Sequence, residues 1–144
     1  MRDSVPKDVE AKIVEKSTLG RDAWKSARVS EAEGYFLEAW NALPQPRTSY
    51  DYAQSISRGL VTFYRDTQQF PKAFQWLDVM REAYGPEPND SVEFIGATVH
   101  FETGNLDEAF RIFDDLAKRL KLRPFQGKDP KYLDFYKKRS KGAK

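Results

Sequence analysis

The chain of 144 residues has no cysteine, one histidine and two methionines. Without cysteine there is no disulfide and no thiolate metal site, and a reducing compartment is a natural home. The lone His100 leaves no cluster of imidazole ligands for a transition metal. No stretch approaches the roughly 20 apolar residues that span a bilayer. The N-terminus, Met1-Arg2-Asp3-Ser4-Val5-Pro6-Lys7, lacks the apolar run of a signal peptide. Glycine-rich phosphate loops are missing, since Gly104 and Gly127 stand alone as turn glycines. No segment alternates apolar and polar residues as a half-buried strand does. These gaps predict an all-α, cytoplasmic protein with no cofactor, no metal and no membrane partner.

What is present is aromatic: ten Phe, seven Tyr and three Trp. A chain of this size fits one domain and buries about 68–70% of its unfolded surface, so a core is possible. Charge is divided unevenly. Residues 1–117 carry 13 Lys/Arg and 20 Asp/Glu, net −7, whereas residues 118–144 carry 11 Lys/Arg and 2 Asp/Glu, net +9. The basic end reads as a solvated tail, as a surface steering an acidic partner, or as a nucleic-acid contact. The last lacks a recognisable fold, and the body has the wrong sign for it.

One triplet recurs three times: alanine, a large apolar residue four positions on, and a small or apolar residue three after that. The copies are Ala32/Phe36/Ala39, Ala73/Leu77/Met80 and Ala109/Phe113/Leu116. Prolines stand where helices should break, and apolar residues between them follow the helical period. Six helices in three pairs are expected. The first runs from about Lys7 to Arg28 and the second from about Glu31 to Ala42, with Ser30 and Glu33 as a capping box. The third runs from about Tyr50 to Arg65 with Ser49 as N-cap, and the fourth from Phe70-Pro71 to Gly85-Pro86. The fifth starts near Asn89/Asp90, with Asp90 to Glu93 as a second capping box. Gly104-Asn105 forms a turn, with Asn105 capping the sixth, which ends near Leu120.

This pattern resembles the tetratricopeptide repeat. Leu19, Gly20, Ala32, Phe36, Ala39 and Pro44 fit six favoured positions of that repeat in the first unit. The second keeps Leu60, Tyr64, Ala73 and Leu77, with Val61 where Gly is usual. The third keeps Ala97, Ala109 and Phe113, with Gly96 where Leu is usual and His100 where Tyr is usual. The alanines lie 41 and 36 residues apart, at 32, 73 and 109, so the repeats are irregular. The resemblance implies three tetratricopeptide-like helical hairpins stacked as a short right-handed solenoid. The expected division is a repeat domain over residues 1–128 and a C-terminal capping helix with a basic tail over 129–144. In that tail Tyr132, Leu133 and Tyr136 would cover the last apolar face.

A narrower resemblance covers most of residues 13–139. Leu43-Pro44-Gln45-Pro46 and the coda Asp129-Pro130-Lys131-Tyr132 with its short aromatic helix look like a family of small bacterial tetratricopeptide-repeat proteins encoded beside Rhs-type polymorphic toxins. The resemblance implies an immunity protein that binds and neutralises a cognate toxin domain in the cytoplasm, in bacterial competition. The basic stretch Lys137-Lys138-Arg139-Ser140-Lys141 departs from the family pattern.

No catalytic residues are expected. His100 occupies a position that packs between helices in the repeat. Asp107-Glu108 and Asp114-Asp115 are sequence neighbours that diverge around a helix and read as a solvated face. No nucleophile and base stand out together. In tetratricopeptide repeats the inner face of the first helix of each pair lines a concave groove. Projected here, that face selects Arg21, Trp24, Arg58, Arg65, Phe94, Phe101 and Glu102 as partner-binding candidates, residue types that dominate binding hot spots. Trp24, Phe94 and Phe101 fit core filling equally well. The carboxylate clamp of chaperone-binding relatives is not reproduced. The competing function is an adaptor or secretion chaperone that binds a peptide or effector protein in the same groove.

Overall fold

A computed structural model describes residues 3–142. Among the described residues there are seven α-helices and no strand. They are α1 (Lys7–Lys25), α2 (Val29–Asn41), α3 (Asp51–Asp66), α4 (Phe70–Tyr84), α5 (Asp90–Glu102), α6 (Leu106–Leu120) and α7 (Pro130–Gly142). The expected all-α class holds, with every helix within a few residues of its expected place. Two compact units divide the chain, residues 1–86 and 87–144. The division falls in the proline-flanked link after α4, and α7 belongs with α5 and α6.

Helices pair by sequence order: α1 with α2, α3 with α4, α5 with α6. Each pair is antiparallel. In the last, Asp90 at the start of α5 meets Arg119 at the end of α6 at 3.1 Å. The three intra-pair turns are the same structure built from different residues. Ala27, Gln68 and Gly104 adopt left-handed backbone, with φ of 62°, 60° and 85°. The next N–H then reaches a carbonyl five residues back: Arg28 to Ala23 at 2.8 Å, Gln69 to Tyr64 at 2.8 Å, Asn105 to His100 at 2.9 Å. This is a Schellman closure, which satisfies carbonyls left open at a helix end. Each left-handed residue stands five positions before the alanine of its copy, so the sequence triplet and the turn geometry repeat together.

The triplets are core. Ala32, Ala73 and Ala109 are each 0% exposed. Small residues there let the two helices of a pair approach closely. Gly20 does the same from α1: a Cβ on it would lie 2.6 Å from Phe36 Cε1. The Phe36 ring has no easy retreat, because Trp24 and Phe63 pack edge-on against it at 6.2 and 5.3 Å. Gly20→Ala is therefore expected to destabilise by about 1–3 kcal/mol through overpacking, against the helix-propensity gain of about 1 kcal/mol. Gly34→Ala, where an added Cβ meets nothing within 4 Å, is expected to stabilise by about 0.5–1 kcal/mol. Urea midpoints of the two variants should move in opposite directions.

In the N-terminal unit, α2 packs on α3. A polar clamp joins the pairs: the Tyr64 hydroxyl donates to Glu33 at 2.7 Å, and Lys72 Nζ donates to the same carboxylate oxygen at 2.9 Å. The link after α2 contains a short 3-10 turn, Arg47–Ser49. It is tied to the N-terminal segment by Asp3 N–H to Ser49 O and Asp51 N–H to Asp3 O, both 3.0 Å.

In the C-terminal unit, Phe94, Ala97, Ala109, Phe113, Leu116, Phe125 and Tyr132 form one core cluster. Leu133, Phe135 and Tyr136 of α7 pack against it, so this helix covers the apolar face of the α5/α6 pair. Two polar clamps fasten it. Tyr132 donates to Glu102 and Tyr136 to Asp114, each at 2.9 Å. Lys131 and Lys118 approach the same two carboxylates at 2.6 and 3.0 Å.

Helix caps differ from expectation. The second helix begins at Val29, before Ser30, and has no side-chain cap; Glu33 turns to Tyr64 instead. The Ser49 hydroxyl donates to Pro46 O at 2.7 Å, and Tyr50 takes the N-cap of α3. Asn89 replaces Asp90 as N-cap of α5 and accepts from Val92 N–H at 3.1 Å. Asn105 is at the N-cap of α6 but its side chain does not cap.

Candidate partner-binding surfaces

Four of the seven candidates lie in the N-terminal unit. Arg21 is exposed on α1 and donates to Thr18 Oγ1 at 3.3 Å. Trp24 is half-buried, edge-on to Phe63 at 5.2 Å as well as to Phe36, so its ring chiefly fills the space between helices. Arg65 is half-buried and forks onto Asp66, Nε to Oδ1 at 2.8 Å and Nη2 to Oδ2 at 3.2 Å. Arg58 is different. It is exposed on α3, and its guanidinium has no acceptor or ion-pair partner among the described residues.

Arg58 lines an open hollow of about 360 Å³ with Asp51, Gln54, Ser55, Thr62 and Tyr84. Five of these six residues lie on one face of α3, and Tyr84 comes from the end of α4. Two hydroxyls are spent on the backbone of α3: Ser55 donates to Tyr52 O at 3.2 Å and Thr62 to Gly59 O at 3.0 Å. Gln54 Nε2 is spent on Ala83 O at 3.4 Å. The hollow thus offers acceptor lone pairs, the Asp51 carboxylate, the Tyr84 hydroxyl and one uncommitted cation, Arg58. That combination recognises polar peptide groups or a carboxylate by hydrogen bonding.

The other three candidates lie in the C-terminal unit. Phe94 is 3% exposed, enclosed by Phe113, Phe125 and Tyr132 at 5.2, 5.3 and 6.2 Å. It presents no ring face to a partner, because the turn at 123–125 and α7 cover it. Phe101 is half-buried beside Tyr132 and Phe135, at 5.3 and 5.1 Å. Glu102 is committed to Tyr132 and Lys131. Of the seven, only Arg58 combines exposure with an unengaged side chain.

The acidic pairs divide. Asp107, Glu108 and Asp115 meet Arg139, Arg111 and Arg119 respectively. Asp114 is not simply solvated: burial raises its pKa, but hydrogen bonds from Lys118 and Tyr136 outweigh this and hold it below the usual carboxylate range. His100 is half-buried, with Nδ1 3.3 Å from Asn105 Nδ2. Among the described residues no group of three His, Cys, Asp or Glu side chains is placed to hold a metal ion, and no helix is long and apolar enough to cross a membrane.

Arg47, in the insertion that lengthens the first repeat interval, carries no site role in the sequence pattern. Arg47 is half-buried in the link after α2, and its Nε is buried without a hydrogen-bond partner. Nothing in its sequence context marks it, since it lies in the stretch that makes the first repeat interval longer than the second.

The clamp at Glu33 gives a pH prediction. Hydrogen bonds from Tyr64 and then Lys72 hold the Glu33 carboxyl below its ordinary range. Burial, then the bond to Glu33, pushes the Tyr64 phenol up. A depressed carboxylate contributes stability above its unfolded pKa, about 4.3 for Glu, and that stability is lost as pH falls through the folded value. Tyr64→Phe is expected to lower stability at neutral pH by about 1 kcal/mol and to flatten the acid limb of the melting-temperature profile. An acid limb identical to wild type would contradict the clamp.

Comparisons with protein-family models, with curated proteins and with solved structures return no match.

Proposed function

We propose that this chain is a tetratricopeptide-like protein of three stacked hairpins, forming a short right-handed solenoid, that binds and neutralises a cognate Rhs-type toxin domain in the cytoplasm. The observation that carries the repeat reading is the turn geometry. Three turns with a left-handed residue at the same place and the same closing hydrogen bond each stand five positions before the alanine of a buried triplet. Repeats of hairpins expose extended surfaces suited to gripping another chain. The toxin reading rests on the family resemblance of the Leu43-to-Pro46 turn and of the coda from Asp129. The role is one of binding without catalysis, and the hollow at Arg58 is the favoured contact on the N-terminal unit.

The test is co-expression with the C-terminal domain encoded immediately upstream of this gene, scored by cell survival. Rescue confined to cells carrying this chain is expected. Equal death with and without it would end the toxin reading.

The polar hollow along α3 favours one second reading. An open strip of acceptors with a single cation also fits an extended peptide, as an adaptor or secretion chaperone would hold. That reading predicts binding that survives unfolding of the partner.

A further inference from the structure

We infer that the C-terminal unit presents an electropositive docking face, residues 121–141, for an acidic surface on the protein partner; this rests on the proposed role in gripping another protein. Five cations of this unit have carboxylate partners: Arg111, Lys118, Arg119, Lys131 and Arg139. The other described cations, Lys121, Arg123, Lys128, Lys137, Lys138 and Lys141, have none. Lys128 sits over the Phe94 ring at 5.7 Å, a contact that leaves its charge uncompensated. Only Asp129 and Asp134 lie among them, and Asp129 accepts from the Lys131 backbone N–H.

These cations come from two segments that the fold brings together. Tyr136 of α7 stacks on Phe125 at 5.6 Å between ring centres. Arg123 is two residues before one ring, and Lys137 directly follows the other. The inward face of α7 is spent on Tyr132, Phe135, Tyr136 and Arg139. Its exposed charged positions are Lys131, Asp134, Lys137, Lys138 and Lys141.

Three kinds of anionic partner are conceivable, and the side chains favour a protein. Nucleic acid would call for exposed rings to stack bases, but the aromatic rings of this unit are engaged with one another: Phe94 packs against Phe125, and Phe125 and Phe110 stack on Tyr136. A membrane would call for an apolar stripe beside the charges, and the exposed face of α7 has none. An acidic protein surface needs only complementary charge and a foothold. Leu122, 40% exposed between Lys121 and Arg123, supplies the foothold.

The experiment uses the full chain and a fluorescent poly-glutamate peptide as probe, with single-stranded RNA and phosphatidylserine vesicles as parallel arms. Poly-glutamate is expected to bind at low ionic strength and to weaken as salt screens the charges. A variant with Lys121→Glu, Arg123→Glu, Lys137→Glu and Lys138→Glu should lose at least about tenfold in affinity. Its helical circular dichroism should persist, since none of the four side chains has a partner to lose. If that variant unfolds, Lys137→Gln with Lys138→Gln takes its place, with a smaller loss expected. No poly-glutamate binding, an unchanged affinity in the variants, or tighter variant-sensitive binding of RNA or vesicles would overturn the proposal. Failure of toxin rescue with intact poly-glutamate binding removes the toxin reading and keeps this face. Rescue without poly-glutamate binding does the reverse.

Discussion

Phe113→Ala is expected to destabilise the C-terminal unit by about 3–5 kcal/mol, the cost of deleting a fully buried phenylalanine ring. The ring is 0% exposed. Its neighbours come from three elements: Phe94 on α5 at 5.2 Å, Phe125 in the turn at 5.2 Å, and Tyr132 and Phe135 on α7 at 6.0 and 6.4 Å. Removing it leaves a cavity between three surfaces that cannot all collapse at once. Whole domains are stable by only about 5–15 kcal/mol, so the loss is a large share. Amide hydrogen exchange across α5, α6 and α7 reads it out: protection should fall in all three helices together. Phe113→Leu, which keeps most of the volume, should cost about 1.5 kcal/mol or less. Loss of protection confined to α6 would show that the cluster is not a shared core.

Ending the chain before Pro130 is the second large effect. It removes Tyr132, 4% exposed, and the half-buried Leu133, Phe135 and Tyr136. Each large side chain contributes about 1.5–3 kcal/mol by burial, so together they rival the stability of a small domain. Two carboxylates, Glu102 and Asp114, also lose their tyrosine donors. Cooperative unfolding of α5 and α6 should vanish or shift far down the temperature scale. An unchanged melting profile would mean that α7 is an appendage and does not cover the core. Tyr136→Phe isolates the hydrogen bond from the packing and should cost only about 1 kcal/mol.

Much of the fold is legible in the sequence because one steric demand recurs. Where two helices cross closely, only small residues fit, and Ala32, Ala73 and Ala109 announce that demand at each crossing. Capping was less legible. Ser30 has the right neighbours for a capping box, yet tertiary contacts draw Glu33 to Tyr64 and Lys72, and the helix starts earlier. Asn89 and Asp90 are both good caps, and sequence alone does not choose between adjacent acceptors. Two of the three turns were hidden because Ala27 and Gln68 adopt left-handed backbone without glycine; only Gly104 advertises itself.

The candidate site was legible where periodicity sufficed. Arg58 falls on the exposed stripe of α3. Phe94 falls on the equivalent stripe of α5, but there a later segment, the turn and α7, folds over it. An apolar residue that serves a core and one that serves a groove look alike until the covering segment is known. Arg47 belongs to an irregular link with no period to project.

The most direct test of the account is calorimetric titration of the purified chain with the proposed partner, the C-terminal domain encoded immediately upstream of its gene, once folded and once unfolded. Tight one-to-one binding to the folded domain alone, weakened by Arg58→Glu, is the predicted result. Equal binding to both forms, or none to either, would contradict it.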